Sequence, residues 1–410
     1  MVMPSFEEEI IRSLRNGSDL PFGAAFRIIH GRERETDILR KDIQFVANGG
    51  SALKVFLGDY GTGKTLLGRI ALEKGLENNL LPIYVSEPPL NKPVESYQAM
   101  INGIITPEFK GDSLFYLLSQ WSEKLISELE KQGIERGQDE IFINRINEKV
   151  LEYEFTNDFN MGLSAFIKAH ILKRDDEKKK IVDWMSGRKI SFNELKKIKI
   201  SRKVENREES FIFLKDILKL SRAIEYSGVV IVFDELELMQ DQRKNTALKG
   251  YESLRSIMDM ISSKELPNLY CIWLGTPQWF ENSERGVNSY LALYDRLRTE
   301  MSTTTESTVQ ILKPVSPEIY KDFVSSIIDI YSLAYNIKPK ISLSQNTVTT
   351  LQEKLTSPFH NDKFVEMRQV VKTTVEFLDM IKDSKSEKTA LEEIAPKEKE
   401  DDEKLKQFWA

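Results

Sequence analysis

Gly58-Asp59-Tyr60-Gly61-Thr62-Gly63-Lys64-Thr65 spells G-x-x-x-x-G-K-[ST], the P-loop pattern. The apolar run Leu53 to Leu57 ahead of it predicts a buried strand, and Leu66 to Leu76 behind it has helical spacing. Strand, glycine loop and helix together form an anion cradle, because backbone N–H groups and the helix N-terminus point at phosphates. Glycine permits backbone angles and a close approach that side chains would block. The expected nucleotide ligands are therefore the eight residues of the pattern and Leu66 behind them. Lys64 would reach the β- and γ-phosphates, and the Thr65 hydroxyl would ligate Mg²⁺.

A second stretch completes the chemistry. Val229-Val230-Ile231-Val232-Phe233-Asp234-Glu235 is an unbroken apolar strand that ends in two acids. Such a run predicts a central strand of a parallel sheet, covered on both faces. Adjacent carboxylates at a strand tip are costly unless metal or solvent meets them. Asp234 is assigned to the metal and Glu235 to activation of the attacking water. Leu269 to Leu274 is the next buried strand, and Thr276 follows it. The Thr276 hydroxyl would either orient the water near the γ-phosphate or simply open the turn before Pro277. Arg296 and Arg298 lie downstream. Arg296 is the preferred arginine finger for the nucleotide of a neighbouring subunit, with a surface ion pair as its other reading. Arg368, on a later helix, would either touch the γ-phosphate or stand in solvent.

Composition bounds the rest. The chain has 410 residues, enough for two or three domains. Its 64 acids against 58 bases give a net charge of −6, so any contact with DNA would need a local patch. One cysteine, Cys271, lies in an apolar run, which excludes an internal disulfide framework. The histidines His30, His170 and His360 are far apart and have no cysteine companions, which argues against structural zinc. No stretch has the length of a membrane span, and residues 1–15 lack the basic start and apolar middle of a signal peptide. The expectation is a cytoplasmic protein that keeps away from membranes.

Alternating strands and helices predict an α/β core, a parallel sheet flanked by helices. Residues 1–132 would hold N-terminal helices and the first part of the core. Residues 133–207 would form a charged, mostly helical insertion, and 208–313 the second part of the core. Residues 314–382 would form an α-helical lid domain, and 383–410 a charged tail ending in Phe408-Trp409. The insertion contains Lys173-Arg174-Asp175-Asp176-Glu177-Lys178-Lys179-Lys180, either a solvated surface or a basic face for a partner.

Assembled, these residues resemble the BrxC/BrxD P-loop family of bacterial and archaeal phage-defence (BREX) loci, and its smaller members in particular. Trp184-Met185-Ser186-Gly187, Tyr251-Glu252-Ser253-Leu254-Arg255, Gly275-Thr276-Pro277-Gln278-Trp279-Phe280 and Arg285-Gly286-Val287-Asn288-Ser289-Tyr290 match elements of that family in order, over roughly residues 10–380. The lysine-rich insertion and the charged tail depart from it. Gly31-Arg32-Glu33-Arg34-Glu35 resembles the segment ahead of the P-loop in AAA+ ATPases of the origin-recognition and STAND type. There it packs near the adenine, with Phe26, Ile28 and Ile29 as apolar contacts here. The resemblance implies an AAA+-type ATPase that uses ATP and Mg²⁺. It would be a switch or motor in phage defence, assembling with itself or with a helicase or other defence component. Two alternatives stay open: an ATP-dependent DNA-binding loader or clamp, and a STAND-type regulatory switch with little turnover.

Overall fold

The computed structural model describes residues 4–18, 20–134, 140–197, 200, 202–299, 304–335, 345–356, 367–383 and 385–394. In chain order the first elements are α1 (Phe6–Asn16), α2 (Glu33–Ala47), β1 (Ala52–Leu57), α3 (Lys64–Glu77), β2 (Leu80–Ser86), α4 (Pro93–Asn102) and α5 (Ser113–Lys131). There follow α6 (Glu140–Leu151), α7 (Asn157–Ile171), α8 (Asp175–Met185), α9 (Phe192–Lys197), α10 (Arg207–Ala223), β3 (Gly228–Asp234) and α11 (Lys244–Ser262). The last are β4 (Leu269–Gly275), α12 (Pro277–Glu281), α13 (Leu291–Thr299), β5 (Val309–Ile311), α14 (Tyr320–Ala334), α15 (Gln345–Thr356), α16 (Met367–Lys382) and α17 (Glu387–Glu393). The chain divides into two compact units. A sheet unit comprises Arg34–Gly58 and Leu67–Leu312; a helical unit comprises Met1–Glu33, Asp59–Leu66 and Lys313–Ala410.

In the sheet unit the five strands are all parallel, in the order β2-β3-β4-β1-β5. β3 and β4 are buried along their whole length, which is why they read as continuous apolar runs rather than alternating ones. Alternation still sorts their two faces. Val229, Ile231 and Phe233 join the large core with Leu214 and Ile217 of α10 and Tyr97 of α4. Val230 and Val232 lie under α3, where Gly75 and Gly68 leave room: a Cβ at Gly75 would stand 2.5 Å from Val230. β5 has only three residues, too few to show a period, and was not expected from the sequence. It pairs with Val55 to Leu57 of β1.

The charged stretch 133–207 is helical among its described residues and is not merely solvated. Phe142, Ile146, Phe159, Leu163, Phe166 and Trp184 belong to the same core as the sheet. Three bases of its lysine run have acidic partners nearby: Lys178 pairs with Asp175, Arg174 with Glu177, and Lys180 with Glu194. That pairing argues against a basic face. Tyr251 is fully buried and donates to the Arg285 carbonyl at 2.7 Å, so it packs internally.

In the helical unit, α1 lies against α14 and α16. Ser5 and Glu8 close a capping box at its start. Ile10 and Ile11 share a core with Tyr331, Val375 and Phe377. Arg15 grips Asp379 through two bonds of 2.7 and 2.8 Å. The charged tail holds a helix, α17, that is anchored rather than wholly in solvent. Ala390 of α17 and Ile394 just beyond it, four residues apart, are buried. Phe408-Trp409 and His360 lie outside the described residues. No described helix is long and apolar enough to cross a membrane.

Candidate nucleotide-binding site

Because all five strands run the same way, their carboxyl ends share one edge of the sheet unit. Gly58 leaves β1 there and donates its N–H to the Gly275 carbonyl at the end of β4, 3.0 Å away. Asp234 ends β3, on the far side of β4. Two strand spacings of about 4.8 Å set the β1 and β3 ends roughly 10 Å apart. Crevices at the carboxyl ends of parallel strands are where open α/β sheets take ligands.

Asp234 is 1% exposed. Its Oδ1 accepts the Glu235 N–H at 2.8 Å and its Oδ2 accepts the Tyr84 hydroxyl at 3.0 Å. Glu235 is not part of the strand. It turns off it with φ +58°, in the left-handed region that a glutamate rarely adopts. Its Oε2 accepts the Ser86 hydroxyl at 2.8 Å. Register explains the contact, since Ser86 is the β2 partner of Asp234. Thr276 likewise sits just past its strand. It caps α12, its Oγ1 accepting the Trp279 N–H at 3.1 Å, ahead of Pro277 at the first helical position. Capping uses an oxygen lone pair and leaves the hydroxyl proton for another acceptor.

The glycine loop, Asp59 to Gly63, and the first residues of α3 group with the helical unit. Gly61 and Gly63 have φ of +79° and +87°. A Cβ on Gly63 would meet nothing within 4 Å, so the backbone angle, and not space, calls for glycine there. The Asp59 carbonyl gathers the loop, accepting the Thr62 N–H, the Thr62 hydroxyl at 2.7 Å and Lys64 Nζ at 3.3 Å. Lys64 Nζ also stands 5.1 Å from the centre of the exposed Tyr60 ring. Thr65 is exposed on the first turn of α3, and Leu66 is half-buried. The helix dipole adds positive potential at this end.

Sequence reasoning missed Arg32 as a working side chain. It is buried, and its guanidinium donates to the Thr62 carbonyl at 2.6 Å and the Lys313 carbonyl at 2.8 Å. It thereby ties the glycine loop to the two chain segments that flank the sheet unit in sequence. A basic residue directly after Gly31, which has φ +68°, was the available signal. Ile28 is buried in the helical core, whereas Phe26 and Ile29 are half-buried. Tyr84 and Ser86 were also missed.

Two predicted residues stand apart. Arg296 of α13 pairs with Asp259 of α11 and is 48% exposed at its side chain. Arg368 is the second residue of α16, and its side chain lies outside the described residues.

No curated protein and no solved structure matches the chain. The family described as BREX system ATP-binding protein BrxC/D matches residues 2–395, nearly the whole length. With a glycine loop opening a helix and, in the sheet unit, acids at the same carboxyl edge as the strand before that loop, the chain belongs to the BrxC/BrxD family of BREX ATP-binding proteins.

Proposed function

We propose that this protein binds and hydrolyses ATP with Mg²⁺, as a nucleotide-driven switch or motor in BREX phage defence. Family membership implies an ATP-binding role in that defence. The observation that carries hydrolysis is the shared carboxyl edge of the sheet unit, where Gly58, Asp234, Glu235 and Thr276 all lie.

In this reading the loop amides and Lys64 hold the phosphates. Glu235 takes the proton of the attacking water, and Thr276 offers its hydroxyl proton to that water or to the γ-phosphate. Thr65 and Asp234 hold the metal. Among the described residues no group of three or more His, Cys, Asp or Glu side chains could hold an ion by itself. A hydroxyl and one carboxylate are the hard, sparse oxygen set that Mg²⁺ accepts when phosphates and water fill its remaining positions. When bound, the ion would draw charge off the phosphate oxygens. The helical unit would serve as the lid, with Arg368 on the γ-phosphate, and Arg296 would exchange Asp259 for a neighbouring subunit's nucleotide. A second copy, a helicase of the same locus and DNA are the proposed partners, in the cytoplasm.

The test is turnover by purified protein, alone and with DNA. Glu235→Gln should lower it by about 10² to 10⁴-fold while ATP still binds, the range expected for losing a general base. Unchanged turnover would remove Glu235 from the mechanism. One contact favours a second reading, a regulatory switch with little turnover: the Ser86 hydroxyl already occupies a Glu235 oxygen. Assembly that follows ATP with negligible hydrolysis would decide for it.

A further inference from the structure

We propose that Tyr84 is a positioning residue that aims Asp234 at magnesium, and that Arg69 of the glycine-loop helix holds Tyr84 in that pose. This rests on the Mg²⁺–ATP reading above.

All three residues belong to the sheet unit. Tyr84 lies on β2, two residues before Ser86, so both face the same side of the sheet as the Asp234 partner of Ser86. The phenol hydroxyl donates to Asp234 Oδ2 at 3.0 Å, and the Glu235 N–H occupies Oδ1 at 2.8 Å. A carboxylate oxygen can accept more than one such contact. Two donors, one per oxygen, fix the plane of a carboxylate that is too buried for water to orient. Metal ligands are routinely aimed this way by groups that never touch the ion.

Arg69 adds a link. Its guanidinium carbon lies 4.2 Å from the centre of the Tyr84 ring, within cation–π range. That approach depends on α3 lying close to the sheet. Gly68 and Gly75, two helical turns apart on one face, admit Val232 and Val230 where any side chain would push the helix away. The helix that begins at Lys64 and the carboxylate at the end of β3 are thereby joined through one tyrosine. A phenylalanine would fill the same space and keep the stacking. Only the hydroxyl speaks to Asp234.

The test uses the full-length protein and a fluorescent ATP analogue, titrated in EDTA and with increasing Mg²⁺. Mn²⁺ bound in the nucleotide complex is read in parallel by electron paramagnetic resonance. Tyr84→Phe should stay folded at the assay temperature, bind nucleotide like the wild type in EDTA, and need about 10-fold or more additional Mg²⁺ or Mn²⁺ for half-maximal effect. Arg69→Ala should shift the metal requirement in the same direction. An unchanged metal requirement in Tyr84→Phe overturns the inference. If that variant fails to fold, an unchanged requirement in Arg69→Ala overturns it instead. Wild-type binding that ignores Mg²⁺ altogether would instead sink the Mg²⁺–ATP reading on which it stands.

Discussion

Glu235 is held at φ +58° on the tip of β3, a conformation that costs a non-glycine residue about 1–3 kcal/mol. Glu87, at the tip of the adjacent β2, is also left-handed, with φ +49°, and its N–H reaches the Asp234 carbonyl at 3.2 Å. Two strained glutamates side by side turn the chain away from the sheet just where the proposed chemistry needs room. Glutamine at position 235 keeps the shape and the Ser86 contact but removes the basic oxygen, which makes it the informative substitution. Cys271 is the opposite case. It lies inside β4, its thiol pushed up to about 12 by burial, only partly offset by the Trp273 N–H that reaches its sulfur. Since the thiolate is the nucleophile, the native protein should resist alkylation at pH 8 and react only on unfolding. Modification of the folded chain at the rate of a free thiol would contradict the packing of β4. Cys271 was legible from its apolar neighbours alone. Tyr84 and Ser86 were not, because their partners lie 150 and 149 positions away, and only the register of parallel strands brings them together.

Among the elements, those with a strong period were readable and those without were not. β2 and β3 announce themselves by apolar runs bounded by polar residues, and α3 by its spacing behind the glycines. β5 has three residues and no period. Sheet order is equally silent, since parallel strands are joined by long crossovers that carry no turn signal. The last helices show what a charged composition hides. Asp379 of α16 would be pushed up by its burial, but hydrogen bonds from Arg15 and Tyr331 outweigh this and hold it below the usual carboxylate range. A depressed carboxyl stabilises the fold above its unfolded pKa of about 3.9, and that contribution disappears as the pH falls through the lower, folded value. The helical unit should therefore lose this contribution as the pH falls below about 4. Asp379→Asn should be less stable than the wild type at pH 7 and should lose less on acidification. Circular dichroism melts at both pH values check this, and equal acid sensitivity in the variant would exclude the pair as a contributor.

For the whole molecule, two cores coexist in one chain, and among the described residues no buried one belongs to both. The helical unit gathers α1 with α14 and α16, more than 300 positions downstream. No local pattern in the sequence reveals such a partnership, so the N-terminal helix reads simply as part of the neighbouring core. The glycine loop is grouped with this unit while the strand before it belongs to the other. A ligand that binds only the folded loop must stabilise the fold by RT ln(1 + [L]/Kd), about 2.7 kcal/mol at a hundred times Kd. For a protein of this size that is a rise of several degrees in melting temperature. ATP with Mg²⁺ should produce that rise, and it should grow with the logarithm of ATP concentration. Lys64→Ala should remain folded without ligand, and it should lose most of the ligand-induced rise. A Lys64→Ala protein stabilised as fully as the wild type would mean that ATP binds somewhere other than the glycine loop.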